Sequence, residues 1–334
     1  MFNHTGNAGF TLFTQRTGSL LFPFYLIISI LDKMAVPLFF MVSGALLLGK
    51  EESIAAVFRK RVLRFGIILL AVSACYFARI WKMYDQSHLL RDFLVLVYSA
   101  DIADHLWYLY SYLGLLFMLP LLRKMVKSMD TMDYLYFFLC HILLTGLLPM
   151  AEFYVGKGHL SLTGNFSVSL LKSSSIFFFV MGYFFERHLD SSAFSRKNIL
   201  LGVLLSFIAV GITCYMTMFK AKLTGQTGVD IPMDYFSSLI AFPAFCVYGA
   251  VKRLFQSVKV SAKMRKIMTQ IGSTTFGIYL LEGFLRSGTE FVYTSLEPVL
   301  TPLPAALLWI AAALAVGIVL VTILKKIPGI RYLV

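Results

Sequence analysis

A few residues in this chain have the types and spacing to do chemistry. His4 stands in Asn3-His4-Thr5-Gly6. An imidazole titrates near working pH and can take the proton of an attacking hydroxyl group. The same side chain also reads as a solvated histidine on frayed backbone, and residue type alone leaves both readings open. Arg61 and Arg64 are three apart and so share one face of a helix. A guanidinium fork holds phosphate in bidentate fashion, but basic residues at the edge of an apolar run also anchor topology, and the pair fits either role. His105 and Trp107 open an aromatic run with Tyr108, Tyr110 and Tyr112. Such residues belong at a membrane interface, and the face of Trp107 would equally suit a sugar. Glu282 falls near the end of an apolar run, where an acid can orient a histidine or accept a hydroxyl hydrogen bond.

Other candidates read as scaffold. His88 and Asp92 form an HxxxD spacing, but Leu89, Leu90, Phe93, Leu94 and Val97 make that stretch an amphipathic interfacial helix. Ser43-Gly44 lacks the GxSxG elbow of a serine nucleophile and suits close helix packing. Asp32 and Lys33 are costly inside a span unless paired or wetted, and cheap at its rim. Cys75, Cys140, Cys214 and Cys246 lie in apolar runs without a CxxC pair, and no His, Cys or carboxylate cluster has ligand spacing. Small apolar packing residues are therefore expected there, with no disulfide and no metal.

The elements that must position these residues are membrane helices. Of 334 residues 58% are hydrophobic and only 14% charged, whereas a soluble chain is roughly 45–50% apolar and about 25% charged. The excess cannot be hidden in one core, and in lipid only helices or closed barrels satisfy the backbone. The apolar runs are long and do not alternate, which predicts an all-α, polytopic transmembrane helix bundle. Nine spans are expected, at 24–48, 63–84, 105–122, 132–150, 168–186, 198–219, 234–251, 268–285 and 303–324. The basic residues of the connections divide twenty against eight between alternate sides, with Lys33 and Lys172 inside spans. The rich side, which includes Arg61, Arg64, Lys259 and Lys325, is expected in the cytoplasm together with Val334. The poor side, which includes Lys157 and the stretch around Gly156 to Gly164, is expected outside. A net charge of +13 then reflects topology, and no nucleic-acid partner is expected. No signal peptide opens the sequence, yet Met1 falls on the outer side, and Gly6 and Asn7 read as helix stops. A further span upstream of Met1 is expected, which would make ten. There is no repeat, linker or soluble module, so residues 1–334 read as one integral-membrane domain.

Several segments then fit one family in order. Val36-Pro-Leu-Phe-Phe-Met-Val-Ser-Gly-Ala-Leu-Leu47 resembles the VPLFFxxSGxLL span of the acyltransferase-3 membrane proteins. Arg59 to Arg64 resembles that family's RxxR segment, His105-Leu-Trp-Tyr-Leu109 its HLWFL, Phe276-Gly-Ile-Tyr-Leu280 its FGIYLIH, and Lys326 to Arg331 its tail. The resemblance implies about ten spans and transfer of an acyl group, usually acetyl from acetyl-CoA, to a hydroxyl of a cell-surface or exported glycan. By the same resemblance His4 would be the catalytic base and Arg61 and Arg64 the acetyl-CoA site. On their residue chemistry, Trp107, His105 and Glu282 would face the acceptor, a surface glycan or lipid-linked sugar. Two departures stand out: the family's basic residue upstream of the histidine would precede Met1, and Glu282 takes the place where relatives often have His. The cell membrane, with its lipid, is the implied location. A glycan or lipid-intermediate transporter is the rival reading, although the paired broken helices of many transporters are not apparent. A catalytically inactive relative is the third.

Overall fold

The computed structural model describes residues 1–156, 168–225, 237–258 and 260–333. Lys157, Lys259, Val334 and most of the Gly156–Gly164 stretch, on which the orientation partly rests, lie outside the described residues. The principal helices, in chain order, are α1 Phe22–Asp32, α2 Ala35–Leu47, α3 Leu63–Ile80, α4 Leu89–Ser99, α5 Trp107–Ser128, α6 Thr131–Ile142 and α7 Leu148–Gly156. They continue with α8 Ser174–Arg187, α9 Arg196–Thr224, α10 Ala241–Ser257, α11 Ala262–Leu280, α12 Glu282–Leu296 and α13 Pro302–Leu324. Among the described residues there is no strand. The protein is an all-helical, multi-pass membrane bundle.

Among the described residues, seven stretches are long and apolar enough to cross a membrane: Phe22–Leu47, Ile54–Met83, Asp104–Ser128, Thr131–Glu152, Arg196–Leu223, Ser238–Ser257 and Pro302–Leu324. Each overlaps an expected span. The remaining two expected spans are helical but interrupted. At 168–186 a one-turn helix, Ser169–Lys172, stops and α8 begins afresh, with Ser173 Oγ accepting from the Ile176 amide. The 14 residues of α8 rise ~21 Å, short of the roughly 30 Å hydrocarbon core. At 268–285 helix α11 ends at Leu280, and its first turns carry Lys263, Arg265 and Lys266. Apolar runs alone do not reveal such breaks.

Local chemistry sets the other helix ends. Asp130 caps α6 and exchanges hydrogen bonds with Asp133 in a capping box. Ser195 and Ser261 cap α9 and α11. Proline at the start suits α13, since its missing N–H falls among the orphan donors of a first turn.

The chain divides into two compact units. One comprises Met1–Gly9, Glu52–Pro120 and Val260–Val334. Its core gathers Ile68, Leu69, Val72 and Tyr76 of α3 with Ile102, Leu106, Leu109 and Leu280, and Phe93, Leu96 and Val97 of α4 pack against it. Helix α13 packs along α11 and α12, and the N-terminal turns lie against it. The other unit comprises Phe10–Glu51 and Leu121–Lys259. There α2 and α8 meet backbone to backbone: a Cβ on Gly44 would land on the carbonyl of Phe179, and one on Gly182 on that of Met41. Lys33, in the short gap between α1 and α2, is 4% exposed and holds its ammonium 4.9 Å from the centre of the Phe10 ring. It is therefore enclosed by protein, not set at a cheap rim. Outward residues such as Leu200, Leu204 and Phe207 of α9 and Leu307, Val319 and Ile323 of α13 stay exposed, as lipid-facing side chains do.

Candidate active site

The first unit joins residues far apart in sequence. A 3-10 turn over Phe2–His4 is closed by Thr5, whose hydroxyl donates to the Phe2 carbonyl at 2.7 Å. Gly6 follows with a positive φ of 53°, a backbone state that suits glycine. Close packing on α13 fixes the segment: a Cβ at Gly9 would sit 3.3 Å from that of Ala306. This seats His4 over the junction between α11 and α12.

There, His4 Nδ1 lies 2.5 Å from Oε1 of Glu282. The Glu282 side chain is 4% exposed and that of His4 is 24% exposed. A carboxylate only accepts, so the proton of a neutral His4 sits on Nδ1 and the lone pair on Nε2. That tautomer is the one a general base needs. Glu282 is the first residue of α12, where helix N-termini favour negative charge. Arg286, one turn on, places Nε 3.6 Å from the same Oε1 and donates from Nη1 to the His4 carbonyl. Arg286 is itself held from behind, since Trp309 Nε1 donates to its carbonyl at 3.2 Å.

His105 joins the group. It is buried, and its ring centre lies 6.2 Å from that of His4. Tyr76 and Tyr279 present ring edges to it at 5.2 and 5.8 Å, and the Tyr279 hydroxyl donates to the His105 carbonyl at 2.8 Å. Three residues singled out from sequence, His4, His105 and Glu282, thus converge across 278 positions. Trp107 begins α5 two residues after His105, with its ring edge-on to Tyr108 at 6.3 Å.

Arg61 and Arg64 lie elsewhere. They precede and open α3, and a π turn over Phe58–Val62 contains Arg61. Arg64 and Tyr76 are twelve positions apart on one helix, ~18 Å by its rise. Arg61 forms a two-pronged ion pair with Glu52, both nitrogens at 2.9 Å, and Arg64 Nε donates to the Tyr332 carbonyl at 3.1 Å. His88 is exposed and bonds Asp85 at 3.0 Å, apart from this cluster.

Tyr76 and Arg286 were not singled out by sequence reasoning. Arg286 reads there only as a lone charge on the lysine- and arginine-poor side. Its spacing of four from Glu282 was the available signal.

The site is thus a histidine held by an enclosed carboxylate at a helix junction inside a multi-span bundle. The family described as an acyltransferase domain matches residues 1–324, and the chain belongs to that family, the acyltransferase-3 proteins. No curated protein and no solved structure matches it.

Proposed function

We propose that this membrane acyltransferase moves an acetyl group from acetyl-CoA to a hydroxyl of a cell-surface or exported glycan, and that residues 1–334 act as one catalytic domain. The observation that carries the reading is the His4–Glu282 pair, 2.5 Å apart with the carboxylate almost fully enclosed. Glu282 holds the Nδ1 proton, and His4 Nε2 takes the acceptor hydroxyl proton as its oxygen bonds to the acyl carbon. The carbon–sulfur bond then breaks, and the proton passes from His4 to the departing CoA thiolate. His105, in the turn before α5, and Trp107, its first residue, serve the acceptor.

The donor phosphates are assigned to Arg61 and Arg64. The Arg61 guanidinium holds the Glu52 carboxylate in the two-pronged way it would hold a phosphate, so donor binding requires that pair to open. The ~18 Å between Arg64 and the level of Tyr76 suits a donor with phosphates at one end and its thioester at the end of a long thin arm. By the distribution of basic residues, Arg61 and Arg64 face the cytoplasm and His4 faces outward.

The test is transfer of radiolabelled acetyl from acetyl-CoA to envelope polymer in vesicles from expressing cells. His4→Ala is expected to lower the rate by about 10²–10⁴-fold, the usual contribution of a general base, with protein level and acetyl-CoA binding retained. A parental rate in that variant removes His4 from the mechanism.

A further inference from the structure

Glu282 meets His4 from a helix start, because α11 stops just before it. A continuous helix through Leu280–Gly283 would pair its amides and carbonyls internally and would have no N-terminus behind the carboxylate. The break at Leu281 is made without proline, so something must satisfy the backbone groups it releases. A single side chain does so. The Tyr76 hydroxyl accepts from the Gly283 amide at 3.0 Å and donates to the Leu280 carbonyl at 3.2 Å. It bridges the end of α11 to the first turn of α12, one residue to either side of the Leu281–Glu282 pair.

The approach is available only to glycine at 283. A Cβ there would lie 2.9 Å from Tyr76 Cε1 and 3.0 Å from its hydroxyl oxygen. Tyr76 is itself fixed: it is buried, its ring packs 4.5 Å from that of Phe284, and its edge meets His105. The side chain that clasps the break under Glu282 therefore also touches the second histidine of the cluster.

The geometry points to Tyr76 as a positioning residue for acyl transfer, acting through its hydroxyl on the α11–α12 break to hold Glu282 against His4, with Gly283 as the partner that admits it. This rests on the reading of His4 as base. The role assigned to Tyr76 is exerted through the helix break and requires no contact with donor or acceptor. Removing its hydroxyl lets the break relax and the carboxylate shift, and misplacement by ~1 Å can cost about 10²-fold in rate.

The experiment compares Tyr76→Phe, Tyr76→Leu, Gly283→Ala, Glu282→Gln, His4→Ala and the double variant Tyr76→Phe with Glu282→Gln. Vesicles from expressing cells are supplied with radiolabelled acetyl-CoA, with their own envelope polymer as acceptor. Tyr76→Phe is expected to lower the maximal rate about 10–10²-fold, to match Tyr76→Leu, and to leave the apparent KM for acetyl-CoA within about twofold. In the double variant Tyr76→Phe should add nothing to the loss from Glu282→Gln, because both act on one contact. A role in packing alone predicts the opposite: a near-silent Phe variant, or losses that multiply. Gly283→Ala keeps every polar group and pushes on the ring. It should reproduce the loss at unchanged KM, and it stands as the test if Tyr76→Phe does not accumulate. A parental rate in Tyr76→Phe or Gly283→Ala, beside an inactive His4→Ala, overturns the role of Tyr76 and leaves the base reading standing. A parental rate in His4→Ala overturns the base reading itself.

Discussion

At the scale of single residues, the chemistry concentrates where charges are enclosed and partnered. Glu282 is 4% exposed, yet His4 and Arg286 both reach it. An enclosed carboxylate without such partners would be expensive in this setting. Arg61 is the counterpart at the other end of α3. Its fork on Glu52 is preorganised, and lysine cannot reproduce two parallel bonds. The pair Arg61→Ala with Arg64→Ala is therefore expected to weaken acetyl-CoA binding by about 10²–10⁴-fold, since hydrogen bonds to charged groups contribute roughly 1.5–3 kcal/mol each and each arginine loses at least one. Isothermal titration or equilibrium dialysis in nanodiscs measures it. Unchanged affinity would reduce both arginines to topology anchors. Arg61→Lys should recover only part of the binding, which separates the fork from charge alone.

At the scale of elements, close packing and helix breaks decide where these residues stand. Gly44 and Gly182 let α2 and α8 touch through their backbones, the arrangement small residues permit inside membranes. Gly44→Ala drives a methyl into the Phe179 carbonyl. It is expected to cost about 1–3 kcal/mol, as overpacking does, and to lower the melting temperature in detergent by several degrees, whereas Ser43→Ala, at a half-buried site, should shift it little. Equal melting temperatures for Gly44→Ala and the parent would refute that contact. This packing was legible in sequence, because Ser43-Gly44 within an apolar run has few other uses. His4, His105 and Glu282 were legible one by one, from ordered motifs. Their convergence was not, because nothing along a chain marks a contact across 278 positions. The clasp was less visible still. Tyr76 is one aromatic among many, and a helix break without proline leaves only a glycine as its trace. The second unit repeats the device with other chemistry: the α8 stretch is interrupted at Ser173, and His141, buried in α6, bonds the Leu171 carbonyl through Nδ1 at 2.8 Å. In both units a side chain from another helix supplies the hydrogen bond that a broken span has lost.

At the scale of the whole molecule, the distribution of charge predicts sidedness in a form that can be tested. Lysine and arginine next to spans resist translocation, so the richer side stays in the cytoplasm. The link between α3 and α4 carries only Lys82 beside Asp85, and α4 lays Leu90, Leu94 and Tyr98 outward as a membrane-surface helix would. The stretch that follows α10 instead runs into Lys263, Arg265 and Lys266. Replacing Cys75, Cys140, Cys214 and Cys246 gives a background without thiols, on which a single cysteine reports its side of the membrane. Ser87→Cys and Ser257→Cys are both exposed and both outside the seven apolar stretches or at their edge. In intact cells an impermeant maleimide should label Ser87→Cys and spare Ser257→Cys until the membrane is opened. The reverse pattern would invert the protein, placing Arg61 and Arg64 away from the cytoplasmic pool of acetyl-CoA and His4 on the same side as that pool. Transfer outward from His4 would then be impossible. Labelling thus tests the path of the acyl group as well as the topology, without any knowledge of the acceptor.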